Sequence, residues 1–411
     1  MHIYLVGGAI RDKLLGMAPK EQDWLVTGAK PEDLLAQGFV SVGKSFPVFL
    51  HPETKEEYAL ARIETKIKPG HHGFSCQFDP NVSVEQDLKR RDLTINAIAQ
   101  DKSGRFIDPY GGMDDLKQGI LRHVSDAFAE DPLRVFRVAR FAARFADLNF
   151  TIAKETIKLM QEIVQSGELT SLSAERVWQE TLKALASNRP QTYFTVLRDV
   201  GALDYWFPEL KALWGVPQSA KYHPEIDTGV HVMMALHQVT MLTTNPMVRF
   251  AVLVHDLGKG ITPQAILPSH RGHETHGVPL VKAFSQRLKV PQKWESFAVL
   301  VCRYHLHFHM AFTLKPQTLL DLFTHLNAIR QPEYLDYFLL ACTADTLGRK
   351  GFEQAHCPQS AYFQDALQAI RNLDVKPLLD KGLNGRKLAS AIRKMRISLI
   401  AACRKKHNTN T

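Results

Sequence analysis

Val6-Gly7-Gly8-Ala9-Ile10-Arg11-Asp12, followed about ten residues later by Glu21-Gln22-Asp23-Trp24-Leu25-Val26, decides how this chain is read. The two glycines stand between an apolar strand, Ile3-Tyr4-Leu5-Val6, and a helix that starts at Ile10. Glycines let backbone N–H groups approach phosphate oxygens closely, and a helix N-terminus adds a favourable dipole. Arg11, one turn in, offers a fork of donors to a phosphate. At strand spacing residues i and i+2 point the same way, so Glu21 and Asp23 face one side. Two hard oxygen ligands on one face suit Mg²⁺, with phosphates and waters completing its shell. In two-metal phosphoryl transfer such carboxylates hold the ions that serve the attacking hydroxyl and the leaving pyrophosphate. An isolated acidic pair of this kind is more often a solvated strand edge. Here the glycine turn and the acids come in the right order and at a workable distance.

Outward from this point, the first 115 residues or so read as α/β. Further strands are expected at Trp24–Val26, at Phe46-Pro47-Val48-Phe49-Leu50 and at Glu57-Tyr58-Ala59-Leu60-Ala61, and a glycine-rich loop from Lys68 to Asp79. Beyond Asp126 the texture turns helical, with helices expected at 131–145, 152–165, 173–187 and 190–200. A histidine-rich helical region then reaches about Gly348, and a basic helical tail runs from Asn384 to Lys406. The fold expected is α+β, a mixed head followed by an all-helical body, divided as 1–125, 126–221, 222–348 and 349–411.

Two clusters extend the head. Asp87 to Ala97 packs cations, acids and an amide into a few turns. Asp131-Pro132-Leu133-Arg134 opens a helix, with Asp131 suited to the N-cap and Pro132 to the first helical position. Arg134, Arg137, Arg140 and Arg144 then form one cationic stripe. Few acids lie at matching spacings, so an external anion is expected to neutralise it.

Bulk properties set limits. With 411 residues, 45% hydrophobic and 23% charged, the chain is not of disordered composition. It shows no run of the ~20 apolar residues a membrane span requires, and nothing resembling a signal peptide. A cytoplasmic protein without a membrane partner is expected. The five cysteines (Cys76, Cys302, Cys342, Cys357 and Cys403) form no CxxC pair, which argues against a disulfide framework or thiolate zinc site. A net charge of +9 favours a polyanionic partner such as nucleic acid, mere solubility being the alternative.

In the middle of the chain, His255-Asp256 follows the apolar run Phe250 to Val254, with His231 upstream and His273, His305 and Asp345 downstream. One histidine alone is more often structural, but this ordered set resembles the HD metal-dependent phosphohydrolase superfamily. In that family imidazoles and carboxylates on a helical bundle hold one or two divalent metals that activate water. His270, His276, His307 and His309 are extras nearby.

Together, Gly-Gly-x-x-Arg-Asp, the acidic pair, Arg90-Arg91-Asp92-x-Thr94-x-Asn96-Ala97 and Glu130-Asp131-x-x-Arg134 resemble the class II tRNA nucleotidyltransferases. These are the CCA-adding enzymes of the polymerase-β superfamily. The likeness is to their proteobacterial multifunctional type and covers nearly the whole chain. It implies a polymerase-β-like nucleotidyltransferase head, a mixed sheet with helices, and a helical body containing an HD domain. It also implies stepwise addition of C, C and A to the tRNA 3′ end from CTP and ATP. Gly8 and Arg11 would contact the incoming nucleotide. Arg91, Arg137 and Arg140 would bind its triphosphate and ribose, and Asp131 and Arg134 would read the base edge. Glu21 and Asp23 would hold Mg²⁺. His231, His255, Asp256, His273, His305 and Asp345 would hold a divalent transition metal such as Ni²⁺ or Mn²⁺. That site would carry 2′,3′-cyclic phosphodiesterase, 2′-nucleotidase and phosphatase activities. The partners implied are tRNA, CTP and ATP, with the chain a monomer or homodimer.

Glu21 departs from the family, which usually has aspartate there; its longer arm shifts the ligand oxygens by about one methylene. Glu57 is a candidate third carboxylate. The basic tail reads either as an RNA-backbone contact or as a solvated face. Two rivals share these features: a poly(A) polymerase, and a phosphohydrolase whose head only binds nucleotide.

Overall fold

Alternating apolar residues build the head outward from its first strands. β1 (His2–Val6) leads into α1 (Gly8–Leu14), and β2 (Asp23–Thr27) returns antiparallel to β1 with Val6 opposite Asp23. α2 (Pro31–Leu35), β3 (Val40–Val42), β4 (Val48–Leu50) and β5 (Glu57–Leu60) follow. β5 lies parallel to β2 and sets Glu57 beside Asp23. β6 (Arg62–Lys66) and β7 (Phe74–Phe78) form a separate antiparallel ribbon. After α3 (Val84–Lys89), β8 (Ala99–Gln100) and β9 (Phe106–Ile107) complete a mixed seven-stranded sheet ordered β3-β4-β5-β2-β1-β8-β9.

This computed structural model describes residues 1–19, 21–42, 48–66 and 74–408. Positions 46–47 of the expected third strand and 68–73 of the expected loop lie outside them. The remainder of that loop is a correction: Phe74–Phe78 is strand β7. Its period-two pattern, Phe74, Cys76, Phe78, was masked by the adjoining glycines and histidines.

Successive strand residues point to opposite faces, so β2 feeds two cores. Leu25 packs with Val6, Leu88, Ala97 and Ala99 on one face, and Val26 with Leu34, Phe39, Phe49 and Leu60 on the other. Burying each such large side chain contributes ~1.5–3 kcal/mol. Asp23 shares the face of Leu25, at the strand end where the core gives way to a cavity.

Helices continue the first unit: α4 (Gly112–Gln118), α5 (Leu133–Phe145), α6 (Lys154–Gln165), α7 (Ala174–Leu185) and α8 (Pro190–Asp199). Short strands β10 (Ile120–Leu121) and β11 (Thr151–Ile152) pair in parallel. α5 packs on α7 and α8, with Val135, Phe136, Val138, Ala139 and Ala142 buried along it. Two compact units result, Met1–Tyr205 and Trp206–Thr411.

After α9 (Leu203–Trp206) and α10 (Pro208–Lys211), the second unit is helical: α11 (Thr228–Leu242), α12 (Pro246–Val254), α13 (His273–Leu288), α14 (Gln292–His309), α15 (Pro316–His325) and α16 (Glu333–Leu347). α17 (Pro358–Arg371), α18 (Lys376–Asp380) and α19 (Gly385–Asn408) follow. From Met247 to Val254, α12 is buried on every side, its one charged residue, Arg249, donating to the Thr243 carbonyl at 3.0 Å. Packed against α11, α14 and α16, it delivers His255 and Asp256 into the interior. The basic tail is α19, which packs on α15 and α17 and buries only Ile400. Among the described residues no helix is long and apolar enough to cross a membrane. The architecture is the α+β head and helical body expected.

Candidate active site and metal centre

The head cavity starts from the glycine turn. Gly7 has φ +69°, in the left-handed region that favours glycine, and a Cβ there would stand 2.8 Å from Arg91 Nη1. Its carbonyl accepts from Arg11 N–H to open α1. The Arg11 side chain is buried, donating to Asp12 Oδ1 from Nε and Nη2 at 2.9 and 2.8 Å and to Asn96 Oδ1 from Nη1. Asn96 in turn donates to Asp92 Oδ1 at 2.9 Å, and Arg137 donates to Asp92 Oδ2 at 2.7 Å. Burial alone would raise the Asp92 carboxyl, but Arg137 and the Asn96 amide hold it well below the usual carboxylate range.

The arginine stripe is therefore not left for an external anion to neutralise, as its own helix suggests. Arg137 pairs with Asp92, Arg140 with Glu180, and Arg144 with Asp12 at 2.8 Å. Arg134 donates to the carbonyls of Ala127 and Arg90 at 2.6 Å each. These partners come from elements remote in sequence, beyond the reach of i,i+4 spacing.

Gly8, Arg11, Glu21, Asp23, Arg91, Asp131, Arg134, Arg137 and Arg140 all line one cavity of about 610 Å³. Every candidate nucleotide-site residue is thus brought together. Asp23 begins β2 and Glu21 stands just before it. Crowding by the cavity walls pushes the Asp23 carboxyl up; Arg91 opposes this, and the Glu21 charge adds to it. Glu57 is exposed, next to Asp23 across the strand pair.

Residues missed from sequence also shape this site, Arg62 among the cavity's lining. Arg176 grips Asp131 through both guanidinium nitrogens, at 3.2 Å to Oδ1 and 2.7 Å to Oδ2, and Glu180 holds Arg140. Both lie on α7, four residues apart, where they read as an ordinary helix face. Only the packing of α7 on α5 brings Arg176 to the cavity and Glu180 against Arg140.

In the second unit the six HD candidates converge from α11, the end of α12, α13, α14 and α16. His231 Nε2 lies 2.9 Å from Asp345 Oδ1, and His255 Nε2 3.3 Å from Asp256 Oδ2 and 3.6 Å from Asp345 Oδ1. His273 and His305 place Nε2 at 3.2 and 3.7 Å from Asp256 Oδ1. His231, His255 and Asp345 form one compact triad of ligand atoms, and Asp256, His273 and His305 another. Gly258 makes this possible, since a Cβ there would fall 2.0 Å from the His273 carbonyl and push α13 away.

The donor set fits a divalent metal. Nδ1 faces a backbone carbonyl in His255 (Val252, 2.7 Å), His273 (His270, 2.7 Å) and His305 (Cys302, 2.9 Å). With Nδ1 carrying the proton, Nε2 presents its lone pair inward. His273 and His305 Nε2 lie 3.2 Å apart, an arrangement of facing lone pairs that a cation between them relieves. His231 Nδ1, His255 Nε2 and both Asp256 oxygens are buried without an aligned hydrogen bond, Oδ2 having only the Lys259 ammonium as an ion-pair partner. Burial works to lower the His255 imidazole, but the charges of Asp256 and Asp345 beside it outweigh burial and raise it. Burial pushes His305 down to about 3 and keeps it neutral. Lys259 Nζ lies 2.7 Å from Asp256 Oδ2, and His309, not among the six candidates, reaches Asp345 Oδ2 at 2.8 Å. The cluster opens on a cavity of about 930 Å³ edged by Lys259, Arg271 and Arg349.

Three family models match parts of the chain. Residues 3–122 match the poly A polymerase head domain, 149–213 the probable RNA and SrmB-binding site of polymerase A, and 229–344 the HD domain. The multifunctional CCA protein of Pasteurella multocida (strain Pm70) is 54% identical over 98% of this chain and 97% of its own length. That of Hahella chejuensis (strain KCTC 2396) is 53% identical over 97% and 95%. The fold is similar to that of the Thermotoga maritima CCA-adding enzyme complexed with tRNA-CCA, at TM-score 0.64 and 17% identity, covering 100% of this chain and 91% of that one. On this identity, sustained from end to end, the chain belongs to the multifunctional CCA protein family.

Proposed function

We propose that this protein adds C, C and A stepwise to the 3′ end of tRNA from CTP and ATP, releasing pyrophosphate, and that its HD cluster is a separate phosphohydrolase site. The observation that carries the first part is the single cavity gathering the acidic pair, the glycine turn and the Asp131–Arg134 pair. Glu21 and Asp23 would hold Mg²⁺, which supplies positive charge for the phosphoryl transition state. Arg11, Arg91, Arg137 and Arg140 bind and orient the triphosphate and ribose beside the Gly7–Gly8 turn. The primer 3′-hydroxyl then attacks the α-phosphate in line, and the α–β bridging bond breaks.

Asp131 and Arg134 replace a nucleic-acid template. C and A each present an exocyclic amine donor next to a ring-nitrogen acceptor, which an acid–arginine pair complements. U and G present a carbonyl and a ring N–H in the reverse order. A carboxylate has about four lone-pair sites. Arg176 takes one on each Asp131 oxygen, and Leu133 N–H takes another on Oδ1 at 3.1 Å. One site on Oδ2 remains for the base amine, so Arg176 both orients and restricts the reader. Arg176→Ala is expected to raise misincorporation of UTP and GTP relative to CTP by ~10-fold, about 1.4 kcal/mol of lost discrimination. Single-nucleotide addition with each NTP checks this.

At the HD cluster, His231, His255, Asp256, His273, His305 and Asp345 would hold a transition metal such as Ni²⁺ or Mn²⁺, which activates water for hydrolysis of 2′,3′-cyclic and 2′-phosphates. Arg386, Lys387, Lys394 and Arg396 on α19 suit sequence-independent contact with the tRNA backbone. The working division is 1–125 for transfer, 126–221 for base reading and connection, 222–348 for hydrolysis and 349–411 for tRNA contact. Within this reading the protein works in the cytoplasm, where a tRNA substrate is met, as a monomer or homodimer.

The match of residues 3–122 to a poly A polymerase head keeps one rival in play. Incubation with tRNA lacking its terminal CCA, in CTP, ATP or both, separates the readings. Ordered addition that stops at CCA is expected. Long A tails would favour a poly(A) polymerase, and no incorporation with phosphatase intact would reduce the head to a nucleotide-binding module.

A further inference from the structure

Three imidazoles of the HD cluster set Nδ1 against a backbone carbonyl, but His231 does not. Its Nδ1 lies 2.9 Å from Glu225 Oε1, while its Nε2 lies 2.9 Å from Asp345 Oδ1. Glu225 stands in the segment that leads into α11, and its side chain is only 2% exposed. Oε1 is also 3.0 Å from His223 Nδ1, and Oε2 accepts from Lys350 N–H at 3.1 Å. Lys350 follows α16, the helix that carries Asp345. One buried carboxylate therefore stands within ion-pair distance of His231 Nδ1, short of hydrogen-bond alignment, and holds the segment that follows the helix bearing Asp345.

We propose that Glu225 is the positioning residue of the HD metal centre. With a small turn of the ring from its present 2.9 Å contact it would receive the Nδ1–H of His231, which would fix the tautomer and aim the Nε2 lone pair at the space shared with Asp345 and Asp256. A carboxylate behind a ligating imidazole orients the ring and raises its basicity, and losing one costs roughly 10–100-fold in metal affinity. No backbone carbonyl takes this role for His231, because its Nδ1 points out of its own helix toward the preceding segment. The inference rests on the reading of this cluster as a metal site.

Because Glu225, His223 and His231 could themselves form a compact ligand group, the test must separate a brace from a ligand. Metal-stripped full-length wild type, E225Q and H223A are titrated with Mn²⁺ alone by calorimetry, with melting temperatures in chelator recorded alongside. E225Q is expected to bind about 10–100-fold more weakly, with its metal-free melting temperature near that of wild type, and H223A to bind as wild type does. Binding by E225Q equal to wild type overturns the proposal. So does an equal loss in H223A, which would make Glu225 a ligand. Should E225Q melt well below wild type in chelator, ¹⁵N spectra of Zn²⁺-loaded wild type decide. A proton on His231 Nδ1 supports the brace, and one on Nε2 overturns it. Failure of wild type to bind any metal at this cluster would instead sink the metal-site reading itself.

Discussion

Asp23→Ala is expected to abolish nucleotide incorporation, lowering it by about 10³-fold or more, the order lost when a preorganised charge-stabilising group is removed. Asp23 is at the first position of β2, with its carboxylate turned to the cavity and not to either core. Alanine fits that strand position, and Leu25 and Val26 continue to anchor it. What disappears is the carboxylate that β2 fixes most firmly. Glu21 sits before the strand on a longer arm and cannot hold an ion alone in the same place. Incorporation of labelled CTP into tRNA lacking its terminus measures the loss. Hydrolysis of 2′,3′-cyclic AMP by the same variant is expected to stay at the wild-type rate, because no HD ligand is touched.

Asp256→Asn is expected to do the reverse. Asp256 reaches His255 and the Lys259 ammonium through Oδ2 and His273 and His305 through Oδ1, so it is the carboxylate on which the cluster's nitrogens converge. A buried carboxylate is costly unless positive charge serves it, and Lys259 serves only Oδ2. Asparagine keeps the volume but removes the charge and replaces one oxygen by a donor that points hydrogens at the imidazoles. Metal binding should be lost, and cyclic phosphodiesterase activity should fall by about 10³-fold. Chelation supplies a second measure. Adding EDTA should lower the melting temperature of the wild-type protein, since a ligand that binds only the folded state stabilises it. It should leave that of Asp256→Asn unchanged.

Much of this was legible in the sequence because it is local. The Gly7–Gly8 turn, the acidic pair and the Asp131–Pro132 helix start each sit within a few residues. The apolar run before His255 announces a helix buried on all sides, and hence a polar dipeptide carried into a core. What escaped depends on tertiary packing. The counter-charges of the arginine stripe come from Asp12, Asp92 and Glu180, on other elements. Arg176 gains its importance only by meeting Asp131 across two helices. Glu225 lies in an irregular segment with no period to mark it, and its contact with His231 exists only once α11 folds back beside it. β7 was hidden by glycines next to a short alternating run.

The most direct measurement is both activities, transfer of CTP and ATP to tRNA and hydrolysis of 2′,3′-cyclic AMP, on matched preparations of wild type, Asp23→Ala and Asp256→Asn. Two separate centres on one chain predict a crossed pattern: the first variant hydrolyses without transferring, and the second transfers without hydrolysing. Loss of both activities in either folded variant would contradict this.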